Sequence, residues 1–278
     1  MNKRKLLDKF MQMLIYSSGF LICFILFFIF AYIVFKGVAN LNLDFFIRLP
    51  KPVGEKGGGM LNAIVGSFTL VGLASLWVIP LGILTGIYLF ESSNSIKDRN
   101  FALVVRFFLD TLSGVPSIVI GIFAYAVFVL PMKKFSAISG AFALGIIMIP
   151  TIARATEEVL KMVPRTIKEA SYALGIPHWK TIVFVVLNTA KPGIVSAVLL
   201  SIARIFGETA PLLFTAFGNR FWHRSLLDPI AALPLQIFVY AISPYEDWHK
   251  QAWTGALVLI LIVYAIILIS RKLLLKYK

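Results

Sequence analysis

Two ionisable residues, Arg204 and Glu208, stand inside an otherwise apolar stretch, Ser201-Ile202-Ala203-Arg204-Ile205-Phe206-Gly207-Glu208-Thr209-Ala210-Pro211. On a helix, spacing of i and i+4 puts both side chains on one face. A guanidinium is a planar fork that donates two parallel hydrogen bonds, which suits a carboxylate or a phosphate. Two readings follow. The pair can be a buried structural bridge between neighbouring helices. Alternatively the arginine meets an anion in a water-accessible path, and Glu208 occupies the fork between passages so that the anion is not held too tightly to leave. The order Arg before Glu is the poorer one for helix stability, which leans against a purely structural pair. Pro211 cannot donate to the carbonyl of Gly207, so a kink is expected beside the pair. Gly207 and Thr209 permit close helix approach.

A second pair, Arg154 and Glu157, is spaced i and i+3. It reads either as part of the same path or as an anchoring arginine with a loop carboxylate. Asp110 lies four residues after Arg106 and reads as a structural partner within its helix. Lys191 reads as a side chain that snorkels to the inner surface. His178, His223 and His249 share neither a helical face nor a metal spacing. No nucleophile–base arrangement is present, so the sequence offers no catalytic residue, no metal site and no cofactor held by this chain. The single cysteine, Cys23, lies in an apolar run and reads as a small hydrophobe.

The elements that must position these residues are membrane helices. Of 278 residues, 59% are hydrophobic and 14% charged, with a mean hydropathy of +0.87. Soluble domains are roughly 45–50% apolar and about 25% charged. A soluble core cannot hide this much apolar surface, whereas a lipid bilayer can. The net charge of +14 does not indicate nucleic-acid binding, because the charges lie between apolar runs rather than on one face. A span needs about 20 mostly apolar residues. Six candidates lie at about 14–35, 61–90, 102–130, 136–153, 188–216 and 252–270. The first run is too long for a signal-peptide core.

Basic residues set the orientation. With the N-terminus inside, residues 3–9, 97–106, 154–180 and 271–278 hold sixteen of the 27 Lys and Arg, against nine outside, with Lys191 and Arg204 within the fifth span. Both termini are therefore expected in the cytoplasm. Outside lie a loop at 36–60, containing a glycine-rich run, and a long segment at 217–251. Its apolar part at 229–240 is too short to span and is expected to be re-entrant or interfacial. Trp222, Trp248 and Trp253 suit an outer aromatic belt.

The largest inside connection contains Thr166 with Glu169 three residues later, a capping-box pattern, and then Gly175 and Pro177, a helix stop. About eight helical residues lie between, with Ile167, Ala170, Ser171 and Leu174 on one face. So short a helix is marginal in water and needs something to dock on. Glu169-Ala170-Ser171, three residues and Gly175 resemble the EAA loop of ABC-importer permeases. Val185 and Leu187 stand at later positions of that pattern, and Asn188 replaces its proline, leaving Lys191-Pro192 to supply the entry bend of span five. The resemblance makes Glu169, Ala170 and Gly175 part of a coupling helix that docks on an ATPase. The chain itself carries no G-x-x-x-x-G-K-[ST] phosphate loop.

The segments 112–119, 203–211 and 231–237 resemble the phosphate permeases of this family. The resemblance implies an all-α polytopic protein with six transmembrane helices and the type I importer (MetI-like) fold. The permease core would cover 61–275, with a coupling loop at about 157–187, preceded by a first helix and outside loop at 1–60. It implies import of inorganic phosphate across a bacterial or archaeal plasma (inner) membrane. It also implies a heterodimer with a second permease, two copies of an ATPase that uses ATP and Mg, and an external phosphate-binding protein. Arg204, Glu208, Arg154 and Glu157 would line the substrate path. Alternatives are a permease for another anion or small solute, an ion-coupled transporter, or an intramembrane enzyme. The last two want inverted repeats or clustered catalytic groups, and neither is evident.

Overall fold

A computed structural model describes residues 3–52, 55, 57–92 and 99–276. Lys56, Lys97 and Lys278, which enter the charge balance above, and Gly54 of the glycine-rich run lie outside the described residues. Those described form helices and connecting turns. In chain order the helices are α1 (Lys3–Val38), α2 (Leu43–Ile47), α3 (Leu61–Ser92), α4 (Arg99–Gly114), α5 (Ser117–Met132), α6 (Ala137–Lys161), α7 (Arg165–Ala173), α8 (His178–Phe206), α9 (Ala210–Thr215), α10 (Leu233–Ala241) and α11 (Glu246–Lys276). Among the described residues five are long and apolar enough to cross a membrane, and α4 with α5, counted as one bent pair, brings the number to six.

The centre of the fold is the pair α3 and α6. Leu70, Ala74 and Val78 of α3 pack against Ala141, Leu144, Met148 and Ile152 of α6. Lipid is as apolar as leucine, so membrane helices associate by close van der Waals packing through small residues. Gly82 and Gly86 supply that on α3. A Cβ at Gly86 would lie 2.6 Å from Thr156 Cβ and 2.7 Å from the Ala153 carbonyl. In contrast, α1 touches the rest mainly near its C-terminal end. There Tyr32 meets Trp253 edge-on at 5.2 Å, and Thr254 Oγ1 donates to the Gly37 carbonyl at 3.1 Å.

The expected continuous span at 102–130 is broken: α4 and α5 meet at 104°. Pro116 caps α5 in an extended conformation (φ −56°, ψ 136°). A residue before proline is disfavoured in helix, and proline cannot donate to the preceding turn, so α5 starts in a new direction. The fifth span likewise stops early, at Phe206. Pro211 then lies in the first turn of α9, where its missing N–H costs nothing. The proline thus begins a new helix instead of kinking an old one. At its other end α8 starts at His178, ten positions before the expected boundary, and runs unbroken through Asn188 and Pro192. Pro192, the expected site of the entry bend, thus lies inside α8 rather than at its start.

The segment between α9 and α11 packs back into the fold. Leu233, Pro234, Leu235, Gln236 and Tyr240 of α10 are buried, and the Leu233 N–H donates to Ser67 Oγ at 2.8 Å. Trp248 is buried too, stacked on Tyr240 at 4.5 Å with the Arg220 guanidinium 4.8 Å from its ring. It is therefore a packing residue and not part of an interfacial belt.

Gly86→Leu forces a side chain into the α3–α6 contact, an overpacking worth about 1–3 kcal/mol. The melting temperature of the detergent-solubilised protein should fall by several degrees. An unchanged melting temperature would show that this contact does not hold the centre together.

Candidate functional site

The two helix breaks face each other. Gly121 of α5 sits directly against Pro211 of α9; a Cβ there would lie 2.7 Å from Pro211 Cα. Beside this contact is a cavity of about 120 Å³ lined by Ser113 and Val115 at the end of α4, Ser117 of α5, Thr151 of α6, and Arg204 and Glu208. A single water needs about 10–15 Å³ of such space, so the cavity has room for a small hydrated anion. Ile147 and Thr151 on its wall fall near the middle of the 25-residue α6, which places the cavity deep between the two membrane faces.

Arg204 and Glu208 share this cavity but do not pair: among the described residues no ion pair joins them. The expected i, i+4 bridge fails because α8 ends at Phe206. Gly207 caps it, and the Glu208 N–H bonds back to the Ile205 carbonyl at 3.2 Å in a tighter turn. Glu208 therefore stands in the break, off the helical register. Arg204 is solvent-exposed and Glu208 half-buried. At the start of α5 the Val119 N–H bonds back to the Pro116 carbonyl at 2.9 Å, and Ser117 lies on the cavity wall.

Toward the C-terminal end of α6 lies a separate charged cluster. Glu157 is fully buried. Its Oε1 accepts from Arg106 Nη2 at 2.8 Å and pairs with Lys161 Nζ at 3.0 Å, while Oε2 accepts from Arg154 Nη1 at 3.2 Å. Arg154 also grips Asp110 with both arms of its fork, Nε to Oδ1 at 3.0 Å and Nη2 to Oδ2. Asp110 is thus held across the α4–α6 interface by Arg154, and Arg106, its expected partner within the helix, reaches over to Glu157. Arg154 and Glu157 fasten α4 to α6 and are not among the residues lining the Arg204 cavity.

The loop helix is α7. Its end is as the sequence indicates: Gly175 takes a left-handed conformation (φ 75°), and the Gly175 and Ile176 N–H groups bond back to Tyr172 and Ser171. Its start differs. Pro164 is the N-cap, so Thr166 already lies within the helix and no side-chain cap forms. The predicted apolar face also divides. Ile167 packs on the C-terminal ends of α3 and α6 and the start of α8, and buried Ser171 bonds Thr181 at 2.9 Å. Ala170 and Leu174 are exposed, with Glu169 beside them. The anchor absent from the sequence reading is Glu91, at the end of α3. It pairs with Lys168 at 3.1 Å and with His178 at 2.8 Å, while Lys168 Nζ lies 4.6 Å from the Phe90 ring.

These features meet those of known proteins. The family described as "Binding-protein-dependent transport system inner membrane component" matches residues 78–277. The chain belongs to this family. It is accordingly a multi-pass inner-membrane protein, working with an ATPase carried on a separate subunit. It is 42% identical over 268 residues to "Phosphate transport system permease protein PstA" of Pasteurella multocida, covering 96% of this chain and 94% of that one. It is 45% identical over 247 residues to the protein of the same name from Xylella fastidiosa, covering 88% and 85%. Among solved structures it resembles an inward-facing methionine ABC transporter, MetNI, with a TM-score of 0.65 at 17% identity over 79% of this chain and 97% of that one. The fold is that of ABC-importer permeases.

In this permease, sequence reasoning paired Arg204 with Glu208 but missed Ser113, Ser117 and Thr151. The Gly114-Val115-Pro116 breaker was the available signal for the first two. Nothing in the sequence singles out Thr151 or Glu91.

Breaking a buried ion pair costs about 3–5 kcal/mol. The partners of Glu157 are 22%, 28% and 42% exposed, so the lower end of that range is expected. Glu157→Gln should destabilise the solubilised protein clearly more than Asp110→Asn, whose side chain is 61% exposed. Equal melting temperatures for the two variants would contradict the central place given to Glu157.

Proposed function

We propose that this chain is the transmembrane permease subunit of an ABC importer that carries inorganic phosphate into the cytoplasm, and that phosphate passes through the cavity holding Arg204 and Glu208. The carrying observation is an arginine in the last turn of a membrane helix, with no carboxylate on it among the described residues, facing a polar cavity. A charge within a membrane segment is costly unless it is paired or faces water, and among the described residues no protein counter-ion is in place. A passing anion supplies the missing partner, and the planar fork suits a phosphate.

The chain supplies half of a pathway. The other half comes from a second, similar permease in a heterodimer, and the energy from two copies of an ATPase that uses ATP and Mg. An external phosphate-binding protein delivers the substrate. Both termini are cytoplasmic, which puts α7 on the ATPase side. There Glu169, Ala170 and Leu174 present the exposed face on which the ATPase docks. Gly175 ends the helix in the left-handed turn that lets the chain run straight into α8. A push on α7 reaches the membrane through Glu91 and the α3–α6 pair. The Arg154–Glu157 cluster holds α4 to α6 on the exit side of the cavity.

Two measurements test this. Phosphate uptake by cells carrying Arg204→Gln should fall to background with the protein still present in the membrane; undiminished uptake removes Arg204 from the path. Glu169→Lys should release the ATPase during co-purification. An intact complex would move the docking surface elsewhere.

A further inference from the structure

The cavity joins groups with different hydrogen-bonding abilities. Arg204 only donates. Ser117 and Thr151 hydroxyls donate or accept as required. A carboxylate only accepts, and Glu208 brings one into the same space. Ser113 adds a second acceptor, because its hydroxyl hydrogen is given to the Leu109 carbonyl at 2.9 Å, leaving lone pairs for the cavity.

A carboxylate beside an anion site is unfavourable for any anion that offers it only oxygen lone pairs. It becomes favourable for an anion carrying a hydroxyl, because O–H to carboxylate is a short, charge-assisted bond. Inorganic phosphate keeps at least one O–H at neutral pH, and arsenate does too. Sulfate is the same shape and has none. A carboxylate neutralised by its own arginine would discriminate weakly, but here Arg204 and Glu208 are not paired.

We propose that Glu208 is the specificity-determining residue of the permease: it accepts the O–H of phosphate and rejects fully deprotonated oxyanions such as sulfate. This rests on the reading that phosphate passes Arg204. Selection would then occur inside the membrane as well as at the external binding protein. A site built to bond a substrate hydroxyl rejects the analogue lacking it by several orders of magnitude.

The test uses the assembled permease–ATPase complex, purified without binding protein. Bound radiolabelled phosphate is measured by equilibrium dialysis, with unlabelled sulfate or arsenate as competitor. In the wild type, arsenate should displace phosphate and sulfate should not. Glu208→Gln removes the charge and adds an amide donor, so sulfate should compete at least about tenfold better. Glu208→Asp keeps an acceptor and should keep the discrimination. A phosphate-to-sulfate ratio unchanged in Glu208→Gln, with phosphate binding still lost in Arg204→Gln, overturns the role of Glu208 and leaves the path standing. Phosphate binding no weaker in Arg204→Gln than in the wild type overturns the path itself.

Discussion

Within a bilayer, a backbone N–H or carbonyl without a partner costs several kcal/mol, so a helix can be broken there only where protein or water satisfies the freed groups. This chain breaks two of its membrane helices, between Gly114 and Ser117 and between Phe206 and Ala210. Both breaks line the same cavity, and Gly121 against Pro211 holds them together. The cavity is therefore a consequence of the breaks as much as a space between helices. It gives Arg204 and Glu208 a polar space to face. The long unbroken helices α3 and α6 form the frame on which the broken ones rest.

Charge is handled differently at the two depths. Near the C-terminal end of α6, Glu157 is fully buried and matched by three cations, while Arg154 is shared between two acids. These groups satisfy one another and tie helices together. In the cavity, Arg204 and Glu208 are left unmatched. Saturated charges build structure, whereas an unsaturated pair can exchange partners with something that passes. The coupling side shows the same division. Ile167, Lys168 and Ser171 hold α7 to its own membrane helices, through Glu91 and Thr181 among others, while Glu169, Ala170 and Leu174 are left exposed.

The membrane class and most of the spans were legible in the sequence because apolar length is a property of each segment alone. The end of α7 was legible for a similar reason, since Gly175 and Pro177 act within one turn. The breaks were half legible. Pro116 and Pro211 were visible, but hydropathy runs smoothly through both, so a window average joins what the backbone separates. The charge partners were the least legible. Helical spacing paired Arg106 with Asp110 and Arg204 with Glu208, each within a segment. The structure instead sends Arg106 to Glu157 and Arg154 to Asp110, across an interface whose register no single segment encodes. Glu91 is the clearest case: a lone acid at a helix end acquires two basic partners only when α7 and the start of α8 fold back to meet it.

The central claim is that the junction of the broken helices is a water-filled path for phosphate. Because Cys23 is the only cysteine, a Cys23→Ala background leaves a clean thiol assay. Ser113→Cys can then be placed on the cavity wall of the assembled importer and treated with a membrane-impermeant, negatively charged thiol reagent. The thiol should be modified, and phosphate should slow the reaction in a concentration-dependent way that disappears in Arg204→Gln. A thiol that stays unreactive through the whole ATP cycle, or one whose reaction phosphate leaves unchanged, would contradict the account.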